Sequence, residues 1–288
     1  MAVQLRPMEA TDVERCGRIC YEAFKNFAEA HSFPPDFPTP ESALQLSQAL
    51  FARPDVFKVV AELDGRIIGS NYLWEYDAVR AVGPITVDTS VQSKGAGRKL
   101  MEAVIERGKG SDGIRLVQDA FNSKSMSLYA SLGFDVREPL VLIEGNAKGD
   151  LPSGVEVRVA VERDFEECTE LCRKVHGFDR LNEFKSTMSF LKPFVALRGG
   201  RVTAYSSAPH FWALNHAVAE NEDDMRAVLT GAANLSNGQP LSLLLPTRQT
   251  DLFRWCLRKG MKVIKPMTLM TMGEYQEPRS TYLPSVGY

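Results

Sequence analysis

Apolar residues in the first half of the chain alternate between two periods. Runs of period two predict strands at about 3–6, 57–63, 66–76, 79–87, 114–120 and 134–143. Apolar positions three and four apart predict helices at 11–30, after Thr39, up to about 108, and at 123–132. Between the first two helices, "HSFPPDFPTP" carries Pro34, Pro35, Pro38 and Pro40, too many for a regular element. Thr39 has the chemistry of an N-cap, and Pro40 suits the first turn after it. Strands and helices interleaved in this order predict an α/β fold, an α+β mixed sheet with helices on both faces.

The pattern is written twice. "VQLRPMEATDVERCGRICYEAF" recurs as "VEVRVAVERDFEECTELCRKVHGF" from Val155, each a strand, a turn and a helix carrying Cys-x-x-x-Cys. The hairpin "FKVVAELDGRIIGSNYLW" is answered by "FVALRGGRVTAYSS", and "LYASLGFDVREPLVLIEG" by "WCLRKGMKVIKPMTLMTMG". Pro139 and Pro266 stand 127 residues apart, as do Gly133 and Gly260. Three pairings in the same order imply a duplicated unit. The polar, glycine-rich "GNAKGDLPSG" (145–154) then marks a boundary, giving expected units at 1–147 and 152–288.

Composition narrows the setting. With 44% hydrophobic and 24% charged residues among 288, the chain has a globular profile. A net charge of −2 offers no footprint for nucleic acid or an anionic membrane. No run is as long as a spanning helix, and five cysteines, an odd number, suit reduced thiols; a cytoplasmic protein is expected. Cys16, Cys20, Cys168 and Cys172 could hold zinc only by converging from different repeats, so packing of helix on sheet explains them better. His31, His176, His210 and His216 form no metal spacing, and no metal is expected.

One stretch carries candidate chemistry. In "VQSKGAGRKLMEAVIERG" (91–108), Gly95 and Gly97 stand where a helix begins, a place that suits close approach of a phosphate to unpaired N–H groups. The spacing of a P-loop is absent, and Leu100 occupies the third glycine position of a dinucleotide fingerprint. A third alternative is a Gln/Arg-x-x-Gly-x-Gly/Ala turn, which Gln92, Gly95 and Gly97 satisfy between the strand "GPITVD" and a helix. Downstream, "FNSKSMSLYASLGF" supplies Asn122, Tyr129, Gly133 and Phe134 in order.

Together these residues resemble the GNAT superfamily of acetyl-CoA-dependent N-acetyltransferases over about 3–144, and the repeat extends the resemblance to a tandem protein with a degenerate second unit. The resemblance implies acyl transfer from acetyl-CoA to a primary amine. It implies that backbone around Gln92, Ser93, Lys94, Gly95, Ala96, Gly97 and Arg98 holds the pyrophosphate, that the strand Ile85, Thr86, Val87 pairs with the pantetheine arm, that Asn122 assists in that groove, and that Tyr129 is the general acid. The proline-rich segment falls where the family places its acceptor loop, with Phe24, Phe27, Phe33 and Phe37 as a candidate apolar wall. The family's glutamate before the glycine turn is missing from "RAVGPITV". Glu75 and Asp77 are then the nearest acidic candidates for a base, a water relay or a terminal carboxylate being the alternatives. The apolar tail "YLPSVGY" prompts the expectation that Tyr288 or its neighbours dock near the first unit's cleft.

In the second unit, "ENEDDMRAVL" (220–229) replaces the glycine turn. Glu220, Glu222, Asp223 and Asp224 would repel a pyrophosphate, and Cys256 stands in the tyrosine place. One working site per chain is expected. It would serve a small-molecule amine in a monomer or homodimer, with no nucleic-acid or membrane partner. A non-catalytic acyl-CoA sensor and a protein or peptide acetyltransferase are the competing readings.

Overall fold

The computed structural model describes residues 2–91 and 95–287. In the first unit β1 (Gln4–Pro7) leads into α1 (Val13–Ala30) and α2 (Pro40–Ala52), followed by β2 (Val56–Leu63), β3 (Arg66–Trp74), β4 (Val79–Val82) and β5 (Thr86–Val87). Then come α3 (Ala96–Arg107), β6 (Gly113–Asp119), α4 (Ser123–Ser131) and β7 (Asp135–Gly145). The second unit repeats the order with one strand fewer before its third helix. It opens with β8 (Val155–Val159), α5 (Phe165–His176), α6 (Leu181–Met188), β9 (Phe194–Arg198), β10 (Arg201–Ser206) and β11 (Ala217–Ala219). It continues through α7 (Glu222–Leu235), β12 (Leu241–Pro246), α8 (Thr250–Arg258) and β13 (Lys262–Gly273). A short β14 (Tyr282–Leu283) follows and has no counterpart in the first unit.

Local chemistry explains the element starts. Thr39 accepts from the Ser42 N–H at 3.3 Å, with Pro40 as the first residue of α2. The first crossing from strand to helix is stapled identically in both units. Arg6 grips Asp12 through two hydrogen bonds of 2.6 and 2.9 Å, and Arg158 grips Asp164 through two of 2.7 and 2.8 Å. Each carboxylate also accepts a backbone N–H at 2.8 Å, from Glu9 and Val161 respectively. These contacts hold both aspartates below the usual carboxylate range.

The two units exchange their last strands. A nine-stranded sheet runs β1-β2-β3-β4-β6-β13-β7-β12, with β5 paired to β3. β13, from the second unit, therefore lies between β6 and β7 of the first, and β7 pairs in turn with β12 of the second. The remaining strands form a second sheet, β14-β11-β10-β9-β8. A cut between 147 and 152 follows chain order, but the sheet crosses it.

Separate cores form on the two faces. Leu100, Met101 and Val104 of α3 pack with Leu116, Tyr129 and Phe134, while Val13 and Cys16 of α1 pack with Leu50, Val60 and Tyr72 on the opposite face. Cys168 and Cys172 sit in a third cluster with Val195 and Tyr205. The cysteine pairs thus belong to distinct cores, and burial pushes the thiols of Cys16 and Cys172 up to about 11 and about 12. No helix among the described residues is long and apolar enough to cross a membrane.

Candidate active site

β4 and β6 begin as parallel neighbours, Val79 opposite Gly113 and Ala81 opposite Arg115. They then part. The peptide before Pro84 is cis, the chain turns, and β5 resumes by pairing with β3 alone, Thr86 opposite Ser70 and Val87 opposite Gly69. Beyond Arg115 the edge of β6 that faces β5 has no strand partner among the described residues, while its other edge is fully engaged by β13. The sheet therefore opens into a wedge floored by Thr86–Val87 on one side and Leu116–Asp119 on the other. Unpaired strand edges of this kind accept an extended ligand by backbone hydrogen bonds.

The first turn of α3 closes one end of the wedge. Gly95 is the N-cap and adopts φ +81°, a left-handed conformation that costs a residue with Cβ. A Cβ at Gly97 would lie 3.7 Å from Leu128 of α4 and 3.9 Å from Val87 of β5, so the helix start is seated between those two elements. Gln92, Ser93 and Lys94 lie outside the described residues. Ala96 is buried under the turn, and Arg98 reaches Ser131 of α4 at 2.7 Å, tying helix to helix. Asn122 is the N-cap of α4 and accepts from the Ser125 N–H at 3.0 Å.

Tyr129 shares the α3/α4 core with Ile85, Val87 and Leu116, all at the wedge. Burial raises its phenol to about 12, so it carries its proton at neutral pH. Alternation along β5 turns Thr86 to the opposite face, toward α1. Its buried Oγ1 has no partner among the described residues, and neither has either amide atom of Gln118 on β6. Both groups border the wedge, Thr86 on the α1 face of the sheet and, by the same alternation, Gln118 on the face of Leu116. The residues present fit an extended, amide-bearing cofactor arm.

Glu75 and Asp77 are elsewhere. Glu75 forms two 3.0 Å hydrogen bonds with Arg107 at the last turn of α3. Asp77 accepts from the Asn182 backbone N–H at 3.2 Å and its side chain at 2.9 Å, and from the Glu183 N–H at 3.2 Å, holding the start of α6. Both follow the far end of β3, roughly 16 Å along the strand from the pairing at Ser70. Sequence proximity misled because the antiparallel hairpin carries residues 75–78 away from the wedge before β4 returns. Neither acid is brought to Tyr129.

Three charged residues that sequence reasoning missed meet beside the wedge instead. Lys265, on the exchanged strand β13, places Nζ 2.6 Å from Asp36 and 2.7 Å from Asp119. Asp36 comes from the proline-rich segment and Asp119 ends β6. Phe121 is stacked between Phe27, 5.3 Å away, and Phe33, 4.3 Å away, fastening the same segment to the β6–α4 turn. Phe24 and Phe37 meet edge to face at 5.4 Å. Burial raises the Asp119 carboxyl despite the ammonium beside it. Nothing in the sequence placed residue 265 near residues 36 and 119; only strand exchange does.

The second unit lacks the glycine turn. Asn221 caps α7, and Asp224 accepts from its side chain at 2.7 Å and from Arg198 at 2.6 Å. Glu220 is paired with Arg201 at 2.7 Å. Carboxylates occupy the place of the glycine turn. The tail is also not where it was expected. Tyr282–Leu283 lie against β11 of the second unit, and Tyr288 is outside the described residues.

Comparison with known proteins agrees with this geometry. Residues 22–134 match the acetyltransferase (GNAT) family, whose members transfer acyl groups from coenzyme A. A protein of Pyrococcus horikoshii provisionally classed as an acetyltransferase superposes with TM-score 0.74 at 17% identity, covering 97% of this chain and 92% of that one. A GCN5-related N-acetyltransferase from Sphaerobacter thermophilus gives 0.61 at 15% identity, covering 97% and 98%. A tandem GNAT protein from the clavulanic acid biosynthesis pathway gives 0.58 at 12%, covering 95% and 100%. No curated protein sequence matches the chain significantly. Residues 22–134 thus carry a GNAT acetyltransferase domain, and the chain as a whole has the fold of tandem GNAT proteins, with carboxylates where the second unit's glycine turn would stand.

Proposed function

We propose that the chain is an N-acetyltransferase that passes the acetyl group of acetyl-CoA to a primary amine of a small molecule, at one site in the first unit. The observation that carries this is the wedge, with facing edges of β5 and β6 that have no strand partner among the described residues, Gly95 at its mouth and a protonated tyrosine beside it. Acetyl-CoA supplies an acyl group activated as a thioester. The chain's own residues then have distinct tasks. Backbone N–H groups of the α3 start suit a pyrophosphate, and the free edge of β5 suits the pantetheine amides. The Tyr129 hydroxyl holds a proton where a thiolate departs.

Asp119 takes the place left by Glu75 and Asp77. It ends the strand that walls the wedge, burial raises its carboxyl, and Lys265 and Asp36 hold it beside the acceptor segment. A carboxylate there can receive the proton that an ammonium acceptor must lose. Two carboxylates against one lysine also leave the pocket net negative, which favours a cationic acceptor. The test is release of free thiol from acetyl-CoA with a panel of amines, amino acids and peptides. We expect turnover with small amines, and a loss of about 10²–10⁴-fold in Tyr129→Phe with coenzyme A binding retained. Binding without thiol release for any amine would point instead to an acyl-CoA sensor.

A further inference from the structure

In the second unit β11 belongs to the β14-β11-β10-β9-β8 sheet and β12 to the other, which leaves a second wedge between them, and the tail lies along its β11 side. β11 is the counterpart of β5, and its edge does not stay bare: Ala217 pairs with Leu283 and Val218 with Tyr282, antiparallel. Ala219 N–H donates to Thr281 C=O at 2.9 Å, and Ser280 Oγ donates to Glu220 C=O at 2.7 Å. On the opposite wall Gln249, the N-cap of α8, grips the same peptide from both sides. Its Nε2 donates to the Tyr282 carbonyl at 2.6 Å and its Oε1 accepts from the Tyr282 N–H at 3.2 Å. Gln249 stands 127 residues after Asn122, the N-cap of α4, the same offset as the glycine and proline pairs of the repeat.

The side chains are equally engaged. Tyr282 is 1% exposed and Leu283 and Ser285 are fully buried. The Tyr282 hydroxyl donates to Glu138 at 3.0 Å, and Arg180 donates to Ser285 Oγ at 2.8 Å. Glu138 lies on β7, the strand that the first unit lends to the second, 127 residues before Lys265, which β13 lends to the first. Each wedge is therefore bordered by one buried charge from the other unit.

We infer that residues 280–286 are a built-in peptide ligand of the second wedge, lying there as the cofactor's arm lies in the first. The inference rests on the reading of the first wedge given above. Both ligands would be extended, amide-bearing and bound by a strand edge on one side and an N-cap amide side chain on the other. The second wedge is then a peptide site filled in cis, which keeps β11 covered and excludes a second coenzyme. Its recognition elements are the β11 edge, the Gln249 amide, the Glu138 carboxylate for a phenol and Arg180 for a hydroxyl.

The test uses a chain ending at Arg279 and a synthetic peptide of residues 280–288. We expect the shortened chain to melt lower than the full chain, the peptide to bind it one to one and restore the melting temperature, and a scrambled peptide to do neither. A folded shortened chain that does not bind the peptide, or that loses the peptide when coenzyme A is added, overturns the proposal. Should the shortened chain fail to fold, Gln249→Ala in the full chain serves. Hydrogen exchange at the Ala219 amide should then rise about tenfold for two lost hydrogen bonds, and unchanged exchange refutes the tail's anchoring. Coenzyme A binding to the full chain reports on the first wedge alone, so failure there is distinguishable from failure of the tail.

Discussion

Replacing Lys265 with methionine tests whether the two units share one charged site. The lysine side chain is 2% exposed and its two carboxylate partners 11% each, so water screens the three groups poorly. Oxygens held 2.6 and 2.7 Å from one nitrogen lie no more than about 5 Å apart. Two unit charges at that separation repel by about 3 kcal/mol at an effective dielectric of 20. Breaking a buried pair from one side costs about 3–5 kcal/mol in general, so a loss of about 3 kcal/mol at pH 8 is expected. Methionine keeps the length and apolar volume of the stem, which leaves charge as the main change.

The pH dependence separates this from simple mispacking. Asp119 is already raised by burial, and without the ammonium it rises further. A carboxyl raised in the folded state favours folding below its unfolded pKa and loses that contribution as pH rises through its folded pKa. The deficit of Lys265→Met should therefore be largest at pH 8 and shrink toward pH 4, as a shared proton replaces the lost ammonium. Chemical denaturation followed by tryptophan fluorescence, with wild type and variant at pH 8, 6 and 5, measures it. A loss that is equal at all three values, or below 1 kcal/mol at pH 8, would falsify the electrostatic account.

Further outcomes follow from the same geometry. Glu75→Gln removes an ion pair whose arginine is 55% exposed, so stability should fall by no more than about 1 kcal/mol and thiol release should be unchanged; a large loss of turnover would restore Glu75 as a base. Gly95→Ala forces a Cβ into φ +81°, which should cost about 1–2 kcal/mol in stability and weaken coenzyme A binding measured by calorimetry. Coenzyme A titration should give one site per chain, and two equivalent sites would contradict the acidic start of α7.

Much of the fold was legible because its signals are local. Thr39 and Pro40 announce a helix, and Gly95 announces a tight turn, which the structure makes with positive φ. The duplication, the glycine turn and the Asn122–Tyr129 segment were likewise readable from spacing, and the structure seats Gly95, Val87 and Tyr129 around one wedge. What failed was any inference from nearness in sequence. Glu75 and Asp77 precede the glycine turn closely but are carried off by a hairpin, whereas Asp36, Asp119 and Lys265, separated by up to 229 residues, meet within hydrogen-bond distance.

By itself the sequence determined which segments are helix or strand, that the pattern is written twice, and that only one copy carries a glycine turn before a helix. Periodicity, caps and glycine conformations are set by neighbours a few residues away, so they can be read in order. Tertiary structure alone decided that β7 and β13 cross between the units, that Lys265 meets Asp36 and Asp119, and that Tyr282–Leu283 pair with β11. Strand pairing joins any two edges of matching length and polarity, and no local pattern along β7 or β13 names the edge it will choose.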